Sequence, residues 1–379
     1  DVPLIAPLPL GSTLLKAAQG LGANIIAGTP SSLTHAIRIG RVPRTGGWDL
    51  RCWWDRWLTG TRAFEFDSIG DSRFALAGIF AGAVAVRQAF ATVLAERKLP
   101  ERDTSISLWT PWQAADLQMT GPDRFDVPDK LWLLGLGHLG QAYVWNLCFL
   151  GGEGERNVIL QDDQSIGEEN EATSLLVLPD GRQMGEKKAR LAAGWLERSG
   201  WRTQLIERRH YGDIALLDDD PPYLLSGLDR LHPRLVLAKH GFPYMLDAGV
   251  GHGAGDFEGI QLRAIPKGHA IDGLWGAPDK ADISGDPRGL LNRPAYAELG
   301  QCGAVSFAEA SVAVPFVGAA AGALTVAQVI RLASLEVAPL FLQMELGSPE
   351  MTTLGGLCSA PETNLGSFTV QLESGLLRP

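Results

Sequence analysis

A glycine-rich turn between a strand and a helix limits the folds open to this chain more than any other feature. Residues 131–134 form a short apolar run, which predicts a buried strand, and they lead directly into Gly135-Leu-Gly-His-Leu-Gly140. A helical pattern follows over residues 141–149. In such a turn the first glycine permits a tight bend, the second lets the backbone approach a phosphate, and the third lets helix and strand pack closely. The pattern predicts a nucleotide-binding α/β domain with a parallel sheet.

An acidic residue stands at the end of the next predicted strand, which covers residues 157–161. Asp162 follows this strand and lies 22 residues after Gly140. At about this separation a carboxylate binds a ribose hydroxyl in dinucleotide-type domains. A glycine-rich turn beside a solvated pair of aspartates, Asp162 and Asp163, is the alternative interpretation.

Three polar residues further along the chain favour ATP over a dinucleotide. Asn170 lies in an acidic stretch, Lys188 opens a predicted helix, and Asp229 follows a predicted strand at residues 223–226. The lysine could reach phosphate oxygens, with a solvated helix end as the alternative. A carboxylate at the carboxyl end of a parallel strand lies where ligands bind, and Mg²⁺ prefers oxygen ligands of this kind. The sequence therefore predicts a site for ATP and Mg²⁺. A second aspartate, Asp247, also ends an apolar run.

These residues, in this order, resemble the family of ubiquitin-activating enzymes and their bacterial relatives, the thiamine- and molybdopterin-pathway adenylyltransferases. The resemblance covers residues 130–335 and includes Arg234, five residues after Asp229. It implies a Rossmann-like adenylation domain that uses ATP and Mg²⁺ to adenylate the C-terminal carboxylate of a ubiquitin-like protein. The implied roles are loop formation by Gly135, Gly137 and Gly140, ribose binding by Asp162, phosphate contacts by Asn170 and Lys188, and Mg²⁺ coordination by Asp229.

The sequence departs from the family pattern at two positions of the site. Thr173 stands where the family often has an arginine, and Gln164 replaces a second acidic residue. An arginine would then come from elsewhere. The available sources are a second subunit, as in a homodimer, or the N-terminal residues Arg38, Arg41 and Arg44. The paired cysteines that bind zinc in many relatives are also absent.

Cys302, in the motif Leu299-Gly-Gln-Cys-Gly303, is the candidate for a second chemical step. Activating enzymes move the acyl group from AMP to a cysteine, and a thiolate is a competent acceptor. A buried packing cysteine and a former metal ligand are the alternatives. We expect Cys52 and Cys148 to be core residues and Cys358 to be a weaker nucleophile candidate. Among the histidines, His138 lies inside the glycine loop, where it either touches a ligand or fills space.

The chain divides into three parts by composition and pattern. Residues 1–125 are predicted to be a degenerate, inactive adenylation-like domain, residues 126–345 the active domain, and residues 346–379 an irregular tail. The duplication hypothesis rests on an ungapped similarity between residues 78–90 and residues 318–330, both rich in Ala and Gly. Two small-residue helices with similar packing needs would explain the same similarity. The second segment belongs to a nearly uncharged stretch, residues 312–330, which we interpret as a buried helix rather than a membrane span.

Charge and cysteine usage narrow the function classes. The net charge is −10, which argues against a broad nucleic-acid-binding surface. The four cysteines form no C-x-x-C pair, and no signal peptide is visible, so we expect a cytoplasmic protein. No membrane association is expected.

The leading hypothesis is ATP-dependent activation of a ubiquitin-like protein, which is then passed through Cys302 to a conjugating-enzyme partner. One alternative is an adenylyltransferase without a thioester step, acting on a sulfur-carrier protein, a peptide or a tRNA. Another is an NAD(P)-dependent oxidoreductase with the same glycine loop, and a third is a non-catalytic scaffold. Lys188 and Asp229 argue against the oxidoreductase, because hydride transfer needs neither residue.

Overall fold

Seven of the eight predicted site residues lie in the part of the chain that the computed structural model describes. Cys302 is the exception, and Arg41 also lies outside this part. The described residues are 2–4, 6–28, 33–40, 42–44, 47–64, 73–95, 99–114, 120–251, 256–275 and 313–372.

The N-terminal region forms a small sheet covered by one long helix. Its elements are α1 (Leu14–Gly20), β1 (His35–Arg38), β2 (Trp48–Asp55), β3 (Leu58–Arg62), α2 (Ala75–Leu94) and β4 (Thr104–Ser107). The strands follow the order β1-β2-β3-β4, and only the first pair is parallel. Buried side chains of β2, such as Leu50 and Cys52, pack on Ala81 and Ala85 of α2. Small residues on α2 therefore let the helix lie close to the sheet.

The region after residue 123 contains a doubly wound parallel sheet. Its elements are β5 (Arg124–Pro128), β6 (Lys130–Leu134), α3 (His138–Leu147), β7 (Asn157–Gln161), α4 (Glu169–Thr173), α5 (Lys188–Arg198), β8 (Arg202–Ile206), β9 (Tyr223–Ser226), α6 (Leu231–Ala238) and β10 (Tyr244–Val250). Five of these strands are parallel, in the order β10-β9-β6-β7-β8. The strands predicted from the sequence are present, so the Rossmann-like α/β fold is confirmed.

The strand order reverses direction between β6 and β9. From β6 the chain first moves outward to β7 and β8, and it then returns to place β9 and β10 on the other side. Crossovers therefore leave β6 and β9 toward opposite sides, which opens a crevice at the carboxyl ends of these two strands. The glycine loop follows β6 and the Asp229 loop follows β9, so both predicted loops border this crevice.

The remaining strands extend the sheet in antiparallel fashion. They are β11 (Gly259–Pro266) and, after α7 (Pro315–Ala333), β12 (Ala338–Pro339), β13 (Leu342–Glu345), β14 (Thr352–Leu354), β15 (Leu357–Cys358) and β16 (Ser367–Gln371). The main sheet continues as β10-β11-β13-β14, whereas β15 pairs with β12 and β16 with β5. The prediction of an irregular tail after residue 345 is therefore wrong for β14, β15 and β16, whose short strands carried too little periodicity to be recognised.

The small-residue stretch forms α7, the central helix of the molecule. Both α2 and α7 have the length and apolar composition of a membrane span, but 94% of the apolar window of α7 is buried within the fold. A Cβ at Gly322 would lie 2.7 Å from the Ala142 carbonyl oxygen of α3. The glycines of the G-x-x-x-G pattern thus allow two helices to touch, and the prediction of a buried helix is confirmed.

The two similar segments found in the sequence, residues 78–90 and 318–330, lie in α2 and α7, which pack against each other. Gln328 Nε2 of α7 also donates a hydrogen bond to the Leu108 carbonyl oxygen of the N-terminal region at 2.9 Å. The sheet that carries α2 is mainly antiparallel, unlike the parallel sheet beside α7. The interpretation of residues 1–125 as an inactive copy stays a prediction.

Candidate functional site

The three loop glycines meet different local requirements. Gly135 has a φ of +85°, a conformation that side-chain-bearing residues rarely adopt. A Cβ at Gly140 would lie 2.0 Å from the Gly135 carbonyl oxygen, so only glycine lets α3 approach the turn so closely. A Cβ at Gly137 would meet no atom within 4 Å, because this residue faces open space at the start of α3. Open space beside the free N–H groups of a helix start suits an anion.

Asp162 lies directly against this loop. Its Oδ2 accepts a hydrogen bond from the Leu136 N–H at 2.6 Å, and its Oδ1 accepts one from the Gln164 N–H at 2.7 Å. The half-buried carboxylate thereby connects the end of β7 with the glycine loop. Each oxygen keeps a second lone pair for a hydroxyl donor, so ribose binding by Asp162 stays a prediction that the position permits.

Lys188 is buried at the first turn of α5, with 6% of its surface exposed. The alternative of a solvated helix end is therefore wrong. Its Nζ donates to the Gln164 side-chain oxygen at 2.8 Å, and its N–H donates to the Gln164 carbonyl oxygen at 3.0 Å. An ammonium group has three protons, and a neutral amide does not cancel its charge. Lys188 thus keeps donors and charge for a phosphate, and this contact stays a prediction.

Asn170 has a role in the loop itself. It is buried within α4, and its Oδ1 accepts a hydrogen bond from the Gly167 N–H at 3.0 Å. This bond shapes the turn before α4. The contact between Asn170 and phosphate stays a prediction.

Asp229 lies on the loop between β9 and α6, beside the glycine loop. Its side chain is exposed, and within the described part of the chain it forms no hydrogen bond or ion pair. The loop itself is held tightly: Gly227 N–H donates to the Leu134 carbonyl oxygen at 2.8 Å, and a Cβ at Gly227 would lie 2.2 Å from the Gly135 carbonyl oxygen. The loop that carries the predicted metal ligand is therefore in direct backbone contact with the predicted phosphate loop, through Gly227.

The described residues contain no group of three or more His, Cys, Asp or Glu side chains that could hold a metal ion. A single free carboxylate still suits Mg²⁺, which commonly takes one or two carboxylates together with phosphate oxygens and water. Asp229 fits that requirement.

Sequence reasoning did not identify the buried partners of Asp247. This aspartate has no exposed surface, and its Oδ2 accepts a hydrogen bond from Trp275 Nε1 at 2.9 Å and lies 3.4 Å from Arg234 Nη1. Asp247 is in register with Ser226, so it lies at the same edge of the sheet as the two loops. The signal in the sequence was the position of Asp247 at a strand end, but Trp275 is too distant along the chain to be assigned to it.

His138 fills space rather than facing open solvent. Its Nδ1 lies 2.5 Å from the Thr173 carbonyl oxygen, and a Cβ at Gly318 of α7 would lie 2.6 Å from its Nε2. Burial lowers the pKa of His138, and the bond to Thr173 opposes this effect. The ring therefore links the glycine loop to α4 and α7, which is the space-filling role considered for it in the sequence.

The cysteines inside the described part of the chain are buried. Burial raises the pKa values of Cys52 and Cys148 to about 12 and also raises that of Cys358. A raised pKa leaves little thiolate at neutral pH. The core roles of Cys52 and Cys148 are confirmed, and the interpretation of Cys358 as a nucleophile candidate is wrong. Cys302 lies outside the described residues.

Two of the N-terminal arginines considered as charge donors are engaged within their own sheet. Arg38 is buried in an ion pair with Asp49. Arg44 donates to the Ala63 carbonyl oxygen at 3.2 Å and to Glu101 at 3.3 Å. These contacts argue against Arg38 and Arg44 as sources of the missing arginine.

A cavity of about 460 Å³ lies at the opposite edge of the sheet. Its lining includes Lys130, Pro222 and Pro243, which stand at or before the first residues of β6, β9 and β10. The glycine and Asp229 loops follow the other ends of these strands. The cavity is therefore separate from the candidate site.

Several known proteins are similar to this chain. A family model of the BilD N-terminal domain matches residues 1–108, and one of the BilD C-terminal domain matches residues 127–335. The bacterial E1-like protein BilD of Collimonas sp. (strain OK412) is 30% identical over 347 residues, which cover 87% of this chain and 73% of that protein.

Solved structures from E. coli are more distant. The alignment with MccB in the structure with ATP has 15% identity and a TM-score of 0.41, and it covers 63% of this chain and 66% of that chain, just under two thirds. The alignment with the tRNA N6-threonylcarbamoyladenosine dehydratase TcdA in complex with ATP has 15% identity and a TM-score of 0.34. It covers 54% of this chain and 84% of that chain. At these values neither likeness says what this chain binds.

The C-terminal family model covers more than half of the chain, in the region that holds both loops, and the Collimonas relative aligns over both regions. The chain therefore belongs to the BilD family, whose Collimonas member is described as an E1-like protein.

Proposed function

We propose that this protein uses ATP and Mg²⁺ to adenylate the C-terminal carboxylate of a small protein or peptide. One observation carries the proposal: two loops meet at the switch point of the sheet, one with an open helix start at Gly137 and the other with the free carboxylate of Asp229. The first arrangement favours a phosphate and the second favours a hard cation. Hydride transfer to or from a nicotinamide requires no such carboxylate.

The residues of the site would act mainly by positioning and by charge. The N–H groups at the start of α3 would hold phosphate oxygens beside Gly137, and Asp162 would orient the ribose. The Lys188 ammonium, whose partner is a neutral amide, would offset the negative charge of the phosphates. Bound Mg²⁺ would add further positive charge at Asp229. A substrate carboxylate held in line could then attack the α-phosphorus, and pyrophosphate would leave.

Membership of the BilD family supports an activating reaction, because the Collimonas relative is described as E1-like. A ubiquitin-like protein is the substrate that we propose on this basis. Transfer through Cys302 to a conjugating-enzyme partner is a further part of the proposal. A homodimer would offer one source for the arginine that this chain lacks at Thr173.

The proposal is tested by ATP–pyrophosphate exchange with Mg²⁺, using a ubiquitin-like protein from a neighbouring gene as the acceptor. Asp229→Asn should abolish exchange. Asp218→Asn is the matched control, because Asp218 is also exposed but borders the cavity at the opposite edge of the sheet. Cys302→Ala should keep exchange and lose any acyl adduct that is sensitive to dithiothreitol.

Each outcome separates one hypothesis from another. If Cys302→Ala catalyses exchange and also forms as much dithiothreitol-sensitive acyl adduct as the parent, the proposed adenylation is supported. The proposed thioester role of Cys302 is then refuted. A lack of exchange with every carrier offered, combined with tight binding of NAD(P), would refute the proposal in favour of an oxidoreductase.

A further inference from the structure

A buried carboxylate lies beneath the loop that carries Asp229. Asp247 of β10 is fully buried, and its Oδ1 has no hydrogen-bond partner among the described residues. Its Oδ2 is shared between Trp275 and Arg234. A buried charge of this kind is costly unless it is paired, so the interaction between Asp247 and Arg234 fixes the position of the arginine.

Arg234 connects this carboxylate to the Asp229 loop. Its Nε donates a hydrogen bond to the Leu228 carbonyl oxygen at 2.8 Å, and its Nη2 donates to the same oxygen. Leu228 immediately precedes Asp229. The flat guanidinium therefore contacts the Leu228 main chain through two of its nitrogens. Its third nitrogen contacts Asp247, which is fixed in strand β10.

The opposite side of the loop is held by the glycine loop. Gly227 N–H donates to the Leu134 carbonyl oxygen, and the close approach of Gly227 to the Gly135 carbonyl oxygen leaves no room for a side chain. The loop is therefore held between the phosphate loop and Arg234. Loss of the arginine contact would free one side of the loop and leave the other in place.

We propose that Arg234 is a positioning residue, which holds the Leu228 main chain so that the Asp229 carboxylate meets Mg²⁺ beside the triphosphate. This inference rests on the proposed function, because it assumes that Asp229 binds Mg²⁺. Lysine is not an adequate substitute, since a single ammonium point charge lacks the rigid fork that contacts Leu228 and Asp247 together.

A second arginine in the same cluster provides the matched control. Arg263 is in register with Asp247 across β11, and it is 3% exposed. Its side chain donates to the Leu274 carbonyl oxygen at 3.0 Å and to Gln261 at 2.8 Å rather than to the Asp229 loop. Both arginines contribute charge near Asp247, but only Arg234 bonds to the Leu228 carbonyl oxygen.

The test is calorimetric binding of ATP across a Mg²⁺ titration, with AMP in the absence of metal as the reference ligand. Arg234→Lys should raise the Mg²⁺ concentration for half-maximal tightening by roughly 10- to 100-fold, the usual effect of removing a group that orients a metal ligand. The affinity for AMP should stay within about twofold, because the glycine loop is unchanged. Arg263→Lys should leave the Mg²⁺ dependence unchanged.

A double variant separates positioning from folding. Arg234→Met alone removes the ion pair between Arg234 and the buried Asp247 carboxylate, so this variant should unfold at a lower temperature than the parent. Arg234→Met combined with Asp247→Asn removes both charges, so it should recover thermal stability while keeping the weakened Mg²⁺ dependence.

Three results would overturn the positioning role. They are a parental Mg²⁺ dependence in Arg234→Lys, an equal weakening in Arg263→Lys, and recovery of the Mg²⁺ dependence along with stability in the double variant. In each case the proposed adenylation would survive, provided that the parent binds ATP with Mg²⁺ and catalyses exchange. A parent chain that does not bind ATP would refute both proposals together.

Discussion

Replacing Gly140 with alanine should destabilise the fold, whereas replacing Gly137 with alanine should leave the fold intact and weaken ATP binding. The two glycines are three residues apart at the start of α3 but face different surroundings. Gly140 is in contact with the Gly135 carbonyl group, and Gly137 faces open space. The same methyl group therefore tests packing at one position and ligand approach at the other.

The magnitudes follow from the distances. A Cβ at Gly140 would lie 2.0 Å from the Gly135 carbonyl oxygen and 2.9 Å from its carbon, so backbone must move. Overpacking of this kind costs about 3 kcal/mol, the upper part of its usual range, which corresponds to a fall in Tm of roughly 4 °C when all 379 residues unfold together. At Gly137 the smaller entropy of the unfolded alanine variant opposes the weaker preference of alanine for a helix cap, and the net change should stay within about 1 kcal/mol.

For ATP binding, we expect Gly137→Ala to have the larger effect. The methyl group of Gly137→Ala would occupy the space beside the helix start and displace a phosphate oxygen from its N–H donors. Loss of one hydrogen bond to a charged group costs about 1.5–3 kcal/mol. This loss raises the dissociation constant of ATP by roughly 10- to 150-fold. Thermal unfolding followed by circular dichroism and titration calorimetry with ATP measure the two effects separately.

The reasoning would be refuted by either of two results. If Gly137→Ala binds ATP as tightly as the parent, the phosphates do not lie at the start of α3. If Gly140→Ala unfolds at the temperature of the parent, the close contact between α3 and the Gly135 turn does not contribute to stability.

Four further predictions concern other parts of the molecule. Lys188→Met should weaken ATP binding at least tenfold, because a charged hydrogen bond to phosphate is lost; Lys187→Met, whose Nζ instead donates to the Asp163 carbonyl oxygen, is the calorimetric control. Gly322→Ala should lower the free energy of unfolding by about 1–3 kcal/mol in urea titrations, since its Cβ would lie 2.7 Å from the Ala142 carbonyl oxygen. The pKa of His138 is lowered in the folded state, so the unfolded state takes up more protons below pH ~6.5 and stability falls as the pH decreases; urea titrations of His138→Asn should show a shallower fall, and an unchanged slope would contradict this. In Cys302→Ala, iodoacetamide at neutral pH should label no cysteine until denaturant is added, because the three remaining thiols are buried with raised pKa values; rapid labelling observed by mass spectrometry would show that one of them is accessible.

Local patterns in the sequence were sufficient to predict the parallel α/β region. The apolar runs at residues 131–134, 157–161 and 223–226 are short and continuous, as expected for strands covered on both faces. The glycine loop, with its helix directly after the strand, indicated where the crevice would lie. The helix begins at His138 within the loop, three residues earlier than the pattern predicted, because the loop residues themselves supply the first turn.

Local sequence patterns did not predict the strands of the tail or the buried partners of the site residues. The strands β14 and β15 contain three and two residues, and their conformation depends on pairing with β13 and β12. In the same way, the burial of Lys188 depends on Gln164, 24 residues earlier, and the position of Arg234 depends on Asp247. The secondary-structure propensity of one segment does not indicate which residue of another element will contact it.

The sequence by itself determined the strands and helices that flank the glycine loop, the conformation that only glycine permits at residue 135, and the identity of the side chains at the strand ends. These properties follow from steric limits on the backbone and from hydrophobic periodicity, which act over a few neighbouring residues. Only the tertiary structure decided that the Gly135 and Gly227 loops touch, that Arg38 and Arg44 face their own sheet, and that Cys358 is buried. Such contacts join residues far apart in the chain, and they form only when the two faces of the sheet are covered and the buried charges find their partners.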